Sequence, residues 1–185
     1  MTDFRDHISA IKKNGSSTHF QSLIQLFEHK VFTMCFRIIG NREEAEEASQ
    51  DVFLKCYRGL HNLKDESKFP QWLMKIAYLR AIDYVRKKKV IQVGFDEVKE
   101  MPGDVNSTGA GDLEASELLE KSLQILPPQS RAIINLYYQE DMPVKEIAAL
   151  LDLSESNVKI QLHRSRIEMR RVLALKQNVK PNEKL

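Results

Sequence analysis

A chain of 185 residues is longer than one ordinary helical domain and accommodates two compact ones of roughly 70 to 90 residues with a linker between them. Hydrophobic residues make up 42% and charged residues 29%, with a formal net charge of +2, proportions that exclude a disordered tail and predict a folded globular protein. The longest apolar run, Ile133 to Tyr138, is too short to cross a bilayer, and the start Met1-Thr2-Asp3-Phe4-Arg5-Asp6 lacks the cationic and apolar stretches of a signal peptide.

A cytoplasmic location is therefore expected, and the two cysteines agree with it. Cys35 and Cys56 lie inside helical patterns without partners at metal-ligand spacing, so they read as reduced core thiols rather than a disulfide or zinc framework. Charge is unevenly spread. Acids gather at Glu43, Glu44, Glu46, Glu47 and Asp51; bases gather at Arg86 to Lys89 and again at Lys159, Arg164, Arg166, Arg170 and Arg171.

In chain order, a short helix is predicted from about Phe4 to Ile11. A second carries Phe20, Leu23, Phe27, Val31, Met34 and Ile38 at steps of three and four and ends at Gly40. Asn41 followed by Glu44 forms a capping pattern that opens a third helix, whose stripe of Ala45, Ala48, Val52, Cys56 and Leu60 is apolar, running to about Arg58. Its outward residues Glu47, Gln50, Asp51 and Leu54 mix acid with an exposed leucine, a face for a protein partner or an ordinary solvated surface.

Pro70 suits the first turn of a fourth helix packed through Trp72, Leu73, Ile76, Ala77 and Tyr84. This helix combines Trp72, Tyr78 and Tyr84 with Lys75, Arg80, Arg86, Lys87, Lys88 and Lys89, rings and cations fit for stacking on unpaired bases and attracting phosphates. Trp72 at helical spacing also reads simply as core. Asp83 is expected to pair with Lys87 four residues on and to support the helix rather than catalyse a reaction.

From Gln92 to Asp112 four of the seven glycines, Pro102 and several acids predict a flexible acidic linker. Helical periodicity resumes with Leu119, Leu123 and Leu126, stops at Pro127-Pro128, and restarts through Ile133, Ile134, Leu136 and Tyr137. Two further helices are expected, about Val144 to Leu151 and Glu155 to Leu173. They have helix-turn-helix spacing: small Ala148 permits close approach, Ile147, Leu151, Leu153 and Val158 form the seam, Asp152 takes the turn and Ser154 caps the second helix. Val158 and Leu162 point inward, leaving Ser156, Asn157, Lys159, Ile160, His163, Arg164 and Arg166 for duplex DNA, the first for base edges and the later arginines for phosphates; a merely solvated basic helix is the bland alternative.

The expected fold is all-α, two helical domains at 1–91 and 113–175 joined by the linker at 92–112 and followed by a tail at 176–185. No phosphate loop, nucleophile–base pairing or metal-ligand cluster stands out, so no enzymatic activity and no cofactor are expected. A stand-alone helix-turn-helix regulator, its N-terminal half binding a ligand or mediating dimerisation, shares the C-terminal chemistry but gives no reason for a helix ending in four cations.

Taken together, these residues resemble the extracytoplasmic-function (ECF) group of the sigma-70 family over about Phe20 to Leu173. Ala45-Glu46-Glu47-Ala48-Ser49-Gln50-Asp51-Val52-Phe53-Leu54-Lys55 is similar to the family's polymerase-binding segment. Trp72-Leu73-Met74-Lys75-Ile76-Ala77, with Asp83 and Arg86-Lys87-Lys88, is similar to the part that opens and reads the −10 element. Leu126-Pro127-Pro128-Gln129-Ser130-Arg131 and Glu146-Ile147-Ala148 through Arg164-Ser165-Arg166 resemble the −35-reading region.

The resemblance implies that Glu47, Gln50, Asp51 and Leu54 dock on the large subunit of core RNA polymerase, that the linker runs toward the RNA exit path, and that an anti-sigma protein covers these surfaces. Three positions depart from the family's pattern: Leu79 stands where it commonly has Asn, Gln161 where it commonly has Arg, and Asp152 where Gly is usual.

Overall fold

A computed structural model describes residues 3–92 and 112–177, and among these every regular element is helical. The chain forms two compact units, Met1–Glu100 and Met101–Leu185. The linker read over 92–112 lies outside the described residues, apart from its two end positions.

The first unit contains α1 (Phe4–Asn14), α2 (Ser17–Ile39), α3 (Arg42–Gly59), two single 3₁₀ turns (Leu60–Asn62 and Glu66–Lys68) and α4 (Phe69–Gln92). Asn41 caps α3 as its spacing predicts: its side-chain oxygen accepts from the Glu44 N–H at 2.9 Å. Gly40 closes α2 with φ 80°, and its N–H donates to the Phe36 carbonyl at 2.7 Å. A left-handed position of this kind favours glycine.

Helix α2 packs against α1, α3 and α4. Its stripe of Leu23, Phe27, Val31, Met34 and Ile38 is buried, and so are Ala45, Ala48, Val52 and Cys56 of α3 and Leu60 of the turn that follows it. The alanines and cysteine are small and fully buried, which suits close packing of α3 on α2 and α4. Phe4, Phe27 and Phe69 join the start of α1 to α2 and α4, with ring centroids 5.2–6.2 Å apart. Burial pushes both thiols, Cys35 and Cys56, up to about 12, which keeps them protonated core groups.

Helix α1 is one turn longer than expected and is fastened to the 3₁₀ turns by polar side chains. Lys12 Nζ donates to the Leu63 carbonyl at 2.6 Å and pairs with Glu66 at 3.1 Å, and Ser9 Oγ donates to Glu66 at 2.9 Å. Periodicity reads buried stripes and misses such lateral ties, which is why its boundary fell short.

The second unit contains α5 (Asp112–Gln124), α6 (Pro128–Tyr138), α7 (Val144–Leu151) and α8 (Glu155–Gln177). Leu123, Leu126, Ile133, Leu136, Ile147, Val158 and Leu162 form its core, whereas Leu119, read as part of the stripe, is 40% exposed. Arg131 closes the end of α5: its Nε donates to the Leu126 carbonyl at 2.8 Å, a terminal nitrogen donates to the Gln124 carbonyl at 2.7 Å, and the same side chain bonds the Gln124 amide. Orphan carbonyls at a helix end need such donors, and a partly buried guanidinium supplies several at once.

Candidate functional site

Two surfaces of the first unit and one of the second carry the residues singled out by the sequence. On α3, Glu47 and Gln50 are exposed and Leu54 is 56% exposed, so they stand outward as expected. Asp51 is half-buried instead: it is ion-paired to Arg80 of α4, whose side chain is 16% exposed. The Tyr84 hydroxyl donates to the same Asp51 oxygen at 3.5 Å, and the Arg80 guanidinium lies 5.8 Å from the Tyr84 ring centre. Burial first, then the Asp51 and Glu47 carboxylates, raise the Tyr84 phenol above its ordinary value. A second tie between the helices, Lys88 Nζ to Glu44 at 3.0 Å, runs parallel to it.

These ties correct the placement of several residues on α4. Tyr78 is 8% exposed and belongs to the core rather than to an open stacking face, because its position lies beside Met74 and Ala77 on the buried side. Arg80 is engaged by Asp51 and, at 3.9 Å, by Asp83. Asp83 pairs with Arg86 at 2.9 Å rather than with Lys87; both spacings adjoin on a helix, and the long guanidinium reaches the carboxylate three residues back. Trp72 packs on Phe69, centroids 6.0 Å apart, and its ring sits where a side chain on Gly59 would begin, 3.1 Å from that point. It is half-buried, as are Tyr84 and Lys88, while Lys75, Arg86 and Lys87 are exposed.

The second unit has the helix-turn-helix geometry that the spacing predicts. Asp152 adopts φ 58°, ψ 48°, the left-handed turn conformation, and its N–H donates to the Ala148 carbonyl. The Asn157 N–H donates to Ser154 Oγ at 3.1 Å, the expected cap of α8. Val158 and Leu162 are buried, and Ser156, Asn157, Lys159, Ile160, His163 and Arg164 are exposed along the same helix.

Arg166 is different. Its Nε donates to the Tyr138 hydroxyl at 2.7 Å, and its guanidinium lies 5.6 Å from the ring centres of both Tyr137 and Tyr138. It holds α8 to α6, and the aromatic pair closing α6 is the signal in the sequence that foretells this.

Sequence reading marks Gln161 only as a departure from the family's pattern and misses what its side chain joins. Its amide accepts from Ser130 Oγ at 3.1 Å and donates to Gln129 Oε1 at 3.1 Å and to Asn157 Oδ1 at 2.8 Å. The start of α6 and the first turn of α8 are thereby joined through one side chain. The available signal was a polar residue next to Leu162, at the edge of an otherwise simple amphipathic pattern.

Among the described residues no group of three or more His, Cys, Asp or Glu side chains comes together, and no helix is long and apolar enough to cross a membrane.

Known proteins share this arrangement. Residues 23–90 match the model of Sigma-70 region 2 and residues 116–169 that of Sigma-70, region 4. The chain is 28% identical over 180 residues to the ECF RNA polymerase sigma factor SigW of Bacillus subtilis, covering 91% of this chain and 96% of that one. It is 29% identical over 145 residues to the ECF RNA polymerase sigma factor SigM of the same organism, covering 78% and 88%.

In fold it is similar to the sigma factor RpoE of Bartonella quintana, solved with the anti-sigma factor NepR, at a TM-score of 0.75 and 19% identity over 84% of this chain and 96% of that one. It is also similar to CnrH, solved with the cytosolic domain of CnrY, at 0.67 and 21% identity over 94% and 99%. Region 2 and region 4 occur here in that order, each within its own helical unit, and the chain belongs to the ECF group of the sigma-70 family of RNA polymerase sigma factors.

Proposed function

We propose that the two units of this sigma factor divide transcription initiation between them, the first holding core RNA polymerase and the −10 element and the second reading the −35 element. Glu47, Gln50, Asp51 and Leu54 present the polymerase face; acids around an exposed leucine suit a protein partner carrying cations and an apolar socket. Lys75, Arg86, Lys87 and Lys88, with Trp72 and Tyr84, line the strand-separating side, where cations attract phosphates and rings accept unpaired bases. Tyr78 and Arg80 act from behind that surface, in packing and ion pairing.

The observation that carries the reading is α8: a buried seam, a left-handed turn before it, and Ser156, Asn157, Lys159, Ile160, His163 and Arg164 exposed along its length. That is the form in which a helix enters a major groove, with early residues at base edges and later cations at phosphates. Arg166 holds the helix in place rather than binding DNA first. The working division of the chain is 1–91 for the polymerase and −10 half, 92–112 for the linker, 113–175 for the −35 half and 176–185 for the tail.

The similar sigma factor RpoE was solved with an anti-sigma factor, and we assign this chain a partner of the same kind and a place in the cytoplasm, where polymerase is. Run-off transcription with purified core polymerase on a promoter library tests the whole reading: RNA synthesis must start from selected templates only when the chain is present. Replacing Lys159 and Arg164 by Ala lowers the dependence of upstream binding on salt by about one counterion per residue. An unchanged slope removes both from the phosphate contacts.

A further inference from the structure

The first turn of α8 holds a chain of side-chain amides that bears on which base is read. We infer that Asn157 is a specificity-determining residue, held by Gln161 with its amino group outward so that it selects guanine at one base pair of the upstream element. The inference rests on reading α8 as the helix that enters the major groove.

An amide side chain offers two N–H donors and one carbonyl. Both Gln161 donors are engaged, one on Gln129 Oε1 at 3.1 Å and one on Asn157 Oδ1 at 2.8 Å, while its carbonyl accepts from the Ser130 hydroxyl at 3.1 Å. Ser130 is buried, so the chain of amides is anchored in the body of the unit. Asn157 itself is exposed and is the third residue of α8, and its backbone N–H is fixed on Ser154 Oγ. With Oδ1 accepting from Gln161, both Nδ2 hydrogens remain for a ligand.

In the major groove guanine presents two acceptors, N7 and O6, which an outward amino group satisfies together. Adenine presents an acceptor beside an amino donor, and its usual pairing with asparagine needs the carbonyl and amino group side by side. Here that carbonyl is turned toward Gln161, so although it keeps a second lone pair it is not presented beside the amino group. Cytosine offers an amino donor that meets another donor. Gln161 is accordingly a positioning residue: it touches no base and sets the polarity of the residue that does.

The full-length chain with core polymerase is tested by run-off transcription on duplex templates randomised through the upstream element. The wild-type protein is expected to enrich guanine at one position. Asn157→Asp replaces two donors by acceptors and shifts that position about tenfold toward cytosine or adenine, leaving the others as they were. Gln161→Glu removes both donors facing Gln129 and Asn157, so the Asn157 amino group turns toward the new carboxylate and its carbonyl faces out. The same position then shifts in the same direction, although residue 161 meets no base.

Equal loss at every position in both variants, which a merely structural role produces, overturns the inference. So does a wild-type preference for adenine at the position that Asn157→Asp moves, because it means the amides are turned the other way. If wild-type selection is present and neither variant alters it, the inference fails and the reading of α8 stands; if the wild type shows no upstream selection at all, that reading falls as well.

Discussion

In the first unit the acids of α3 reach across to the bases of α4, Asp51 to Arg80 and Glu44 to Lys88, whereas in the second Lys159 and Arg164 of α8 stand exposed with no ion pair among the described residues. The first unit thus uses charged residues of both proposed surfaces to fasten its own helices. The second fastens α8 with neutral amides and an arginine on tyrosine rings, and its exposed cations take no part in that fastening. A charge that is part of the scaffold cannot be removed without cost to the fold; one that stands alone contributes little to it.

The broadest test of the comparison is whether the units are separately stable. Leu73→Ala removes a fully buried side chain from the first core and is expected to cost that unit about 2–5 kcal/mol. Hydrogen exchange resolved along the chain should show faster opening of α2, α3 and α4 with α6 to α8 unchanged. Equal acceleration in both units would mean that they unfold together.

A smaller effect separates scaffold charge from surface charge. Arg80→Ala leaves the half-buried Asp51 carboxylate without its ion partner and is expected to cost about 1–3 kcal/mol, toward the lower end because Asp51 still reaches solvent. Lys159→Ala should stay within about 0.5 kcal/mol in the same denaturant titration. A double-mutant cycle on Asp51 and Arg80 gives their coupling directly; a value indistinguishable from zero would make the pair incidental.

Much of this was legible beforehand because period and punctuation report burial well. The stripes of α2 and α3, the Asn41 cap, the Pro127-Pro128 break and the left-handed Asp152 all follow from local rules, and the structure has them. What was not legible depends on which side chain meets which across helices. Nothing in the spacing tells that Arg80 turns to a carboxylate 29 residues earlier, that Asp83 takes Arg86 over Lys87, or that Gln161 reaches side chains 31 and 32 residues earlier. Long polar side chains reach several partners of nearly equal merit, and tertiary packing chooses among them. Tyr78 was misplaced for a related reason: composition showed a ring among cations, and only the helix's rotation against its neighbours decided that the ring faces inward.

The subtlest contrast lies in the helix ends. Gly40 ends α2 at φ 80° and Asp152 ends α7 at φ 58°, so both units use a left-handed residue where one helix hands over to the next, but only the first uses glycine. A side chain in that conformation is strained by its Cβ, less so for Asp than for most, and glycine's gain is partly offset by its greater freedom when unfolded. Asp152→Gly should therefore stabilise the second unit by about 0.5–1 kcal/mol, while Gly40→Ala destabilises the first by about 1 kcal/mol. Asp152→Val, adding branching where φ is positive, must be worse than either. Urea titration of the three variants orders them; if Asp152→Gly proves neutral or harmful, the Asp152 side chain contributes something to the turn that offsets its strain, and the two helix ends differ in more than the residue that occupies them.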